Sequence, residues 1–194
     1  NILNKTSYRP TILHYNKEND KLYLWGCFDR TVNILGNEFT TNSPNNGIFQ
    51  SILTEFNTSN GNLENLIQIN NNSFLEYPGE ANNRPKTLNK SFMTEKDNEL
   101  FILSSFSGVM QFPNNTIESR SYNGTINGVN TIIYNEELVL FKMNLNSFEP
   151  EFILKSSGES YYGTGQSIDA AGPIAFDGNN LFLTSNFQSS PLVI

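Results

Sequence analysis

Apolar and polar residues alternate along most of this chain, in short runs broken by Asn, Gly, Pro and Ser. The clearest run is PIAFDGNNLFLTSNF, residues 173–187. It reads as a short apolar strand, an Asp-Gly-Asn-Asn turn and a second strand, the strongest short-range signal for a hairpin. Two upstream stretches share the pattern: TILHYNKENDKLYLWGCF (11–28) and SFMTEKDNELFILSSF (91–106). Between them, IFQSILTEFN (48–57) alternates well and leads through Asn60-Gly61-Asn62 into LENLIQI (63–69), a second hairpin. After the middle copy, ELVLFKMNL (137–145) and EFILK (151–155) are separated by a Ser-Phe-Glu-Pro turn. No stretch keeps a 3.6-residue apolar period, and Pro, Gly and Asn interrupt every candidate helix. The chain is therefore expected to be all-β.

The hairpins recur about 80 residues apart. Superposed, the second strands read LYLWGCFDRTVNIL, LFILSSFSGVMQFP and LFLTSNFQSSPLVI, so that Phe28, Phe106 and Phe187 coincide. Recurrence of a supersecondary unit marks a repeat architecture. Here the unit is four antiparallel strands, the blade of a β-propeller. The expected organisation is a lead-in (1–10), a first blade-like repeat (11–90), a second (91–172) and the first half of a third (173–194), about two and a half blades. Stretches 70–90 and 114–128 read as polar loops, and Val32, Ile34 and Phe39 as an irregular extension. So few blades do not close a ring, so a longer chain or further copies are expected to complete it.

Composition narrows the function. About one residue in six is Asn, mostly between apolar runs, where turns form. The formal charge of −7 and the lack of Lys/Arg clusters argue against nucleic acid and anionic membrane surfaces as partners. No apolar run approaches the length of a membrane span, so no insertion is expected. A single cysteine, Cys27, leaves no internal disulfide, and its apolar strand suits an inert buried thiol.

GPIAFDGNNLFLTSNFQSS, residues 172–190, resembles the bacterial β-propeller repeat called the SBBP repeat. The residues that fit are Ile174, Ala175, Asp177, Gly178, Asn179, Leu181, Leu183, Thr184 and Phe187. Ser185 and Asn186 stand where that family carries a Gly, and the two upstream copies depart further. The resemblance implies a secreted or cell-surface bacterial protein rich in binding modules. The Asn-rich composition is similar to that of proteins from the Bacteroidota, many of which leave the cell by type IX secretion.

Candidate chemistry is sparse. His14 is the only histidine, at an alternating strand position without a Gly-x-Ser-x-Gly context, which leaves little for nucleophilic catalysis. One His and one Cys do not make a zinc site of usual composition. Calcium is the ion that oxygen-rich turns suit: Asn16, Glu18 and Asp20 alternate in the first turn, and Asp177 lies in the matching turn of the third copy. Asp and Asn also belong in β-turns without any ion. Three aromatic rings are candidate sugar platforms. Trp25 lies in an apolar strand, a core position, whereas Tyr161 and Tyr162 lie in a Gly-flanked connection at an expected blade edge. The expected function is non-enzymatic, without a cofactor: binding of protein or glycan partners, adhesion, or scaffolding. The alternatives are a propeller-fold glycosidase or lyase, and a subunit or client seen in part within a larger secretion or surface assembly.

Overall fold

A computed structural model describes residues 8–29, 31–40, 48–74, 91–106, 108–126, 129–135, 137–156 and 170–186. Within them the fold is all-β, with antiparallel pairing throughout and no helix. The first repeat begins with β1 (Tyr8–Asn16) and β2 (Lys21–Asp29), followed by a small hairpin, β3 (Thr31–Ile34) and β4 (Asn37–Thr40). It ends with β5 (Ile48–Asn57) and β6 (Leu63–Phe74). The second repeat contributes β7 (Ser91–Lys96), β8 (Glu99–Phe106), β9 (Val109–Phe112) and β10 (Asn115–Glu118). It continues through β11 (Ser121–Ile126), β12 (Val129–Tyr134), β13 (Glu137–Asn144) and β14 (Glu149–Lys155). The third hairpin is β15 (Ala170–Asp177) and β16 (Asn180–Asn186).

Two of the sheets share one strand order. The first runs β1-β2-β5-β6 and the second β7-β8-β13-β14. Pairing of β6 with β9, through Asn71 and Met110, adds the β9–β10 hairpin to the outer edge of the first sheet. A hairpin from the second repeat thus completes a sheet of the first.

Turn chemistry sets the registers. Asp97 and Asn98 join β7 to β8 with φ of 52° and 61°, the left-handed pair that a two-residue hairpin turn requires. In the first turn the Asn16 side chain accepts backbone N–H bonds from Glu18 (2.8 Å) and Asn19 (3.3 Å), so a short polar side chain replaces missing backbone partners. Gly172 has a different task. A Cβ there would lie 2.8 Å from the Thr184 carbonyl oxygen, so only glycine lets β15 approach β16 at this bulge.

The sheets stack face to face. Strand alternation puts Trp25, Leu53 and Ile69 on one face of the first sheet, against Ile102, Phe141 and Met143 of the second. The rings of Trp25 and Phe141 are 5.2 Å apart. The other face of the second sheet, with Leu103, Leu138 and Leu140, is covered by Ala171 and Ile174 of β15. The central strands β8 and β13 are therefore buried on both faces, which explains their nearly unbroken apolar runs. A third apolar cluster joins Phe28 and Ile52 to Val32, Ile34 and Phe39 of the β3–β4 hairpin.

Several expectations change. The lead-in gives way to strand at Tyr8. The irregular extension at Val32, Ile34 and Phe39 is the β3–β4 hairpin. The loop expected over 114–128 instead carries β10 and β11. Such short edge strands need only one or two covered side chains, here Ile117, so polar residues dominate them. In the stretch 70–90, β6 runs on to Phe74 and the remainder lies outside the described residues.

Two substitutions test this packing. Trp25→Ala removes a fully buried ring and should cost about 3–5 kcal/mol in urea unfolding. Leu35, exposed and held at φ 49° in the β3–β4 turn, should behave oppositely. Leu35→Asn should raise stability by about 1 kcal/mol, because Asn tolerates the left-handed region.

Candidate functional site

Where β1 lies against β7, alternation turns polar side chains into the joint between the two repeats. His14 Nε2 is 3.3 Å from Glu95 Oε2, and the Asn16 amide donates to Glu95 Oε1. Tyr23 sits opposite His14 in the β1–β2 register, with the two rings stacked at 6.4 Å. Next along the same row is Glu55, nearly buried, which accepts from Lys21 Nζ at 3.0 Å. Lys21 also pairs with Glu64. Burial, with the Glu55 and Glu95 carboxylates alongside, pushes the Tyr23 hydroxyl well above its ordinary value of 10.0.

A histidine beside a carboxylate supplies two parts of a nucleophile-activating triad. Among the described residues the third part, a hydroxyl or thiol bonded to the other ring nitrogen of His14, is not found. The group ties one repeat to the next.

A second polar centre anchors the start of β13. Glu137 is fully buried. Its Oε1 accepts from Arg120 Nε and from the Arg120 backbone N–H, both at 3.0 Å, and its Oε2 accepts from Lys155 Nζ at 2.9 Å. Both carboxylate oxygens are thus satisfied by charge-assisted bonds, which such burial demands.

A cleft of about 440 Å³ opens between the β9–β10 turn and the β13–β14 turn. Phe112, Pro150 and Phe152 form its apolar side, and Asn115, Glu149 and Glu151 stand among its polar lining. Phe112 and Phe152 are 5.9 Å apart. Lys142 lies 2.7 Å from Glu99 and 3.4 Å from Glu151; these carboxylates, Glu99 first, hold its ammonium above the usual lysine range. Amides and carboxylates over an apolar floor match the mixed surface of an uncharged sugar, whose ring faces are apolar and whose rim is hydroxyl.

The residues singled out from sequence fare differently. Trp25 is fully buried against Phe141, so its ring is core and offers no face to a sugar. Asn16, Glu18 and Asp20 share one turn, but Asn16 is engaged by backbone N–H groups and by Glu95, and Asp20 accepts from the Tyr15 hydroxyl at 3.0 Å. Asp177 lies on another hairpin, whose turn is held by Lys96 through Gly178 O and Asn179 Oδ1, each at 2.7 Å. Among the described residues no group of three His, Cys, Asp or Glu side chains is placed to hold a metal. Cys27 is buried in β2. Tyr161 and Tyr162 lie outside the described residues. No helix among the described residues is long and apolar enough to cross a membrane, which says nothing of strands.

Sequence reasoning passed over Glu95, Glu137 and the cleft. A signal for Glu95 existed: Met93 and Glu95 share one face of β7, and a carboxylate that continues an apolar row needs a partner. The partners of Glu137 lie 17 and 18 residues away on either side, and no local pattern reveals them.

Two measurements probe these centres. Glu137→Ala strands two cations and should destabilise the fold by about 3–5 kcal/mol in urea unfolding. Tyr23 remains neutral in the folded chain at pH values where the unfolded chain ionises it. Its contribution is therefore intact below about pH 10 and is lost as pH rises further. Tyr23→Phe should move the alkaline unfolding midpoint upward, read by circular dichroism.

Comparison of the chain with family models, with curated proteins and with solved structures finds no match.

Proposed function

We propose that this chain is a non-enzymatic binding module of β-propeller-type blades, carried by a secreted or cell-surface bacterial protein, and that its cleft receives an uncharged glycan. One observation carries the blade reading. The first strands of all three repeats lie side by side, β1 against β7 and β7 against β15, while the later strands follow in order away from them. Radially arranged blades place their first strands at a common axis in this way. The cleft supports the ligand class, and the net charge of −7 disfavours polyanionic glycans. The resemblance of residues 172–190 to the SBBP repeat supports the surface location.

Two experiments test this reading. In a Cys27→Ser background, cysteines at positions 16 and 95, or at 96 and 179, should be joined within one chain by a short bis-maleimide, as mass spectrometry would show. Failure of either pair overturns the common axis. Titration of a panel of neutral oligosaccharides, followed by NMR, should shift resonances of residues around Phe152, with no release of reducing ends. Phe152→Ala should weaken binding at least tenfold. Turnover of any panel member that disappears in His14→Ala would overturn the non-enzymatic reading.

A further inference from the structure

The first sheet has one face buried against the second sheet and one face partly open. On the open face Leu13 is 56% and Tyr15 47% exposed. The register sets Leu13 opposite Leu24 and Tyr15 opposite Leu22, with Phe56 beyond, so the five make one apolar patch. The β3–β4 hairpin covers Phe28 and Ile52, at the other end of that face. At the far side of the molecule, β15–β16 presents Phe182, 56% exposed, beside Ala175.

The repeats relate these two surfaces. Leu22 and Leu24 correspond to Leu100 and Ile102, both fully buried beneath the first sheet. The side chains that face the following repeat are Tyr23 in the first unit and Phe101 in the second, and Phe182 stands in their place in the third. Tyr23 meets Glu95 in the joint, and Phe101 meets Phe176 edge-on at 5.0 Å. Glu95 and Phe176 are equivalent: each pairs with the first leucine of the next strand, Leu100 and Leu181. By the same register the equivalent residue in the first repeat is Tyr15, which pairs with Leu22. Among the described residues, Phe182 and Tyr15 are thus the two members of this series whose rings meet no counterpart from a neighbouring sheet, and both are about half exposed.

We infer that the open face of the first sheet docks a second copy of this chain, with the outer face of its β15–β16 hairpin seated on Leu13, Tyr15 and Leu24. The contact continues the repeat-on-repeat stacking already present within the chain, with Phe182 against Tyr15 as Phe101 lies against Phe176. It is head-to-tail, so successive copies form a ring where the rotation closes and a filament where it does not. The inference rests on the blade reading above but adds that the free faces match each other between molecules.

Light scattering across a concentration series tests it. The chain should associate beyond the monomer, more strongly in sulfate, which favours apolar burial. Leu13→Lys/Tyr15→Lys and Phe182→Lys change exposed residues, so both variants should keep the wild-type circular dichroism spectrum. Each alone should be monomeric. Mixed in equal amounts they should form a dimer of twice the chain mass, because each retains the surface that the other lacks. A wild-type chain that stays monomeric, a Phe182→Lys variant that still self-associates, or variants that fail to pair on mixing would each overturn the docking. Intramolecular cross-linking at 16/95 and 96/179 in those same samples would leave the blade arrangement standing while the docking falls.

Discussion

Everything in this fold depends on the apolar layer between the first and second sheets. A single antiparallel hairpin is marginal in water, and a small sheet gains independent stability only when a face is covered. Here Trp25 and Phe141, with the leucine, isoleucine and methionine side chains around them, give the two sheets a shared interior. Neither sheet buries that face without the other. The second sheet repeats the arrangement on its opposite side, against β15.

Polar groups within these layers give direction to the packing. An apolar face tolerates a shift of one sheet across the other, whereas a desolvated carboxylate does not, since it must meet its partners or remain costly. Glu95 meets His14 and Asn16 only when β7 is aligned with β1. Glu137 fixes β13 in the same manner against Arg120 and Lys155. Lys96 performs this service at the third hairpin: it reaches the β15–β16 turn and lies 5.2 Å from the centre of the Phe176 ring. Each joint between repeats thus combines an aromatic contact with a charged or polar tie at the same end of the strands.

Much of this architecture is legible in the residues. The alternation in IFQSILTEFN and the turn residues at 97–98 and 177–178 mark strands and hairpins directly, because side-chain period and left-handed turn residues are local properties. Leu22, Leu100 and Leu181, about 80 residues apart, each stand second in their strands β2, β8 and β16. The short strands from 109 to 134 are harder to see, since they anchor few side chains and the rest of each strand is polar. The sites are the least visible. Glu95 and His14 are 81 residues apart, and the cleft is assembled from two turns of different hairpins, so neither exists as a pattern along the chain. Trp25 illustrates the opposite limit, since the apolar strand around it correctly points to the core.

The bond between Asn71 and Met110 bears on how the chain is made. The first sheet acquires its outer hairpin from residues translated well after its own last strand. During synthesis β6 waits with an unpaired edge, which invites pairing with another chain, until β9 and β10 have left the ribosome. Once they dock, opening the outer edge of the first sheet also displaces the β9–β10 hairpin, so the two sheets share an element at this edge.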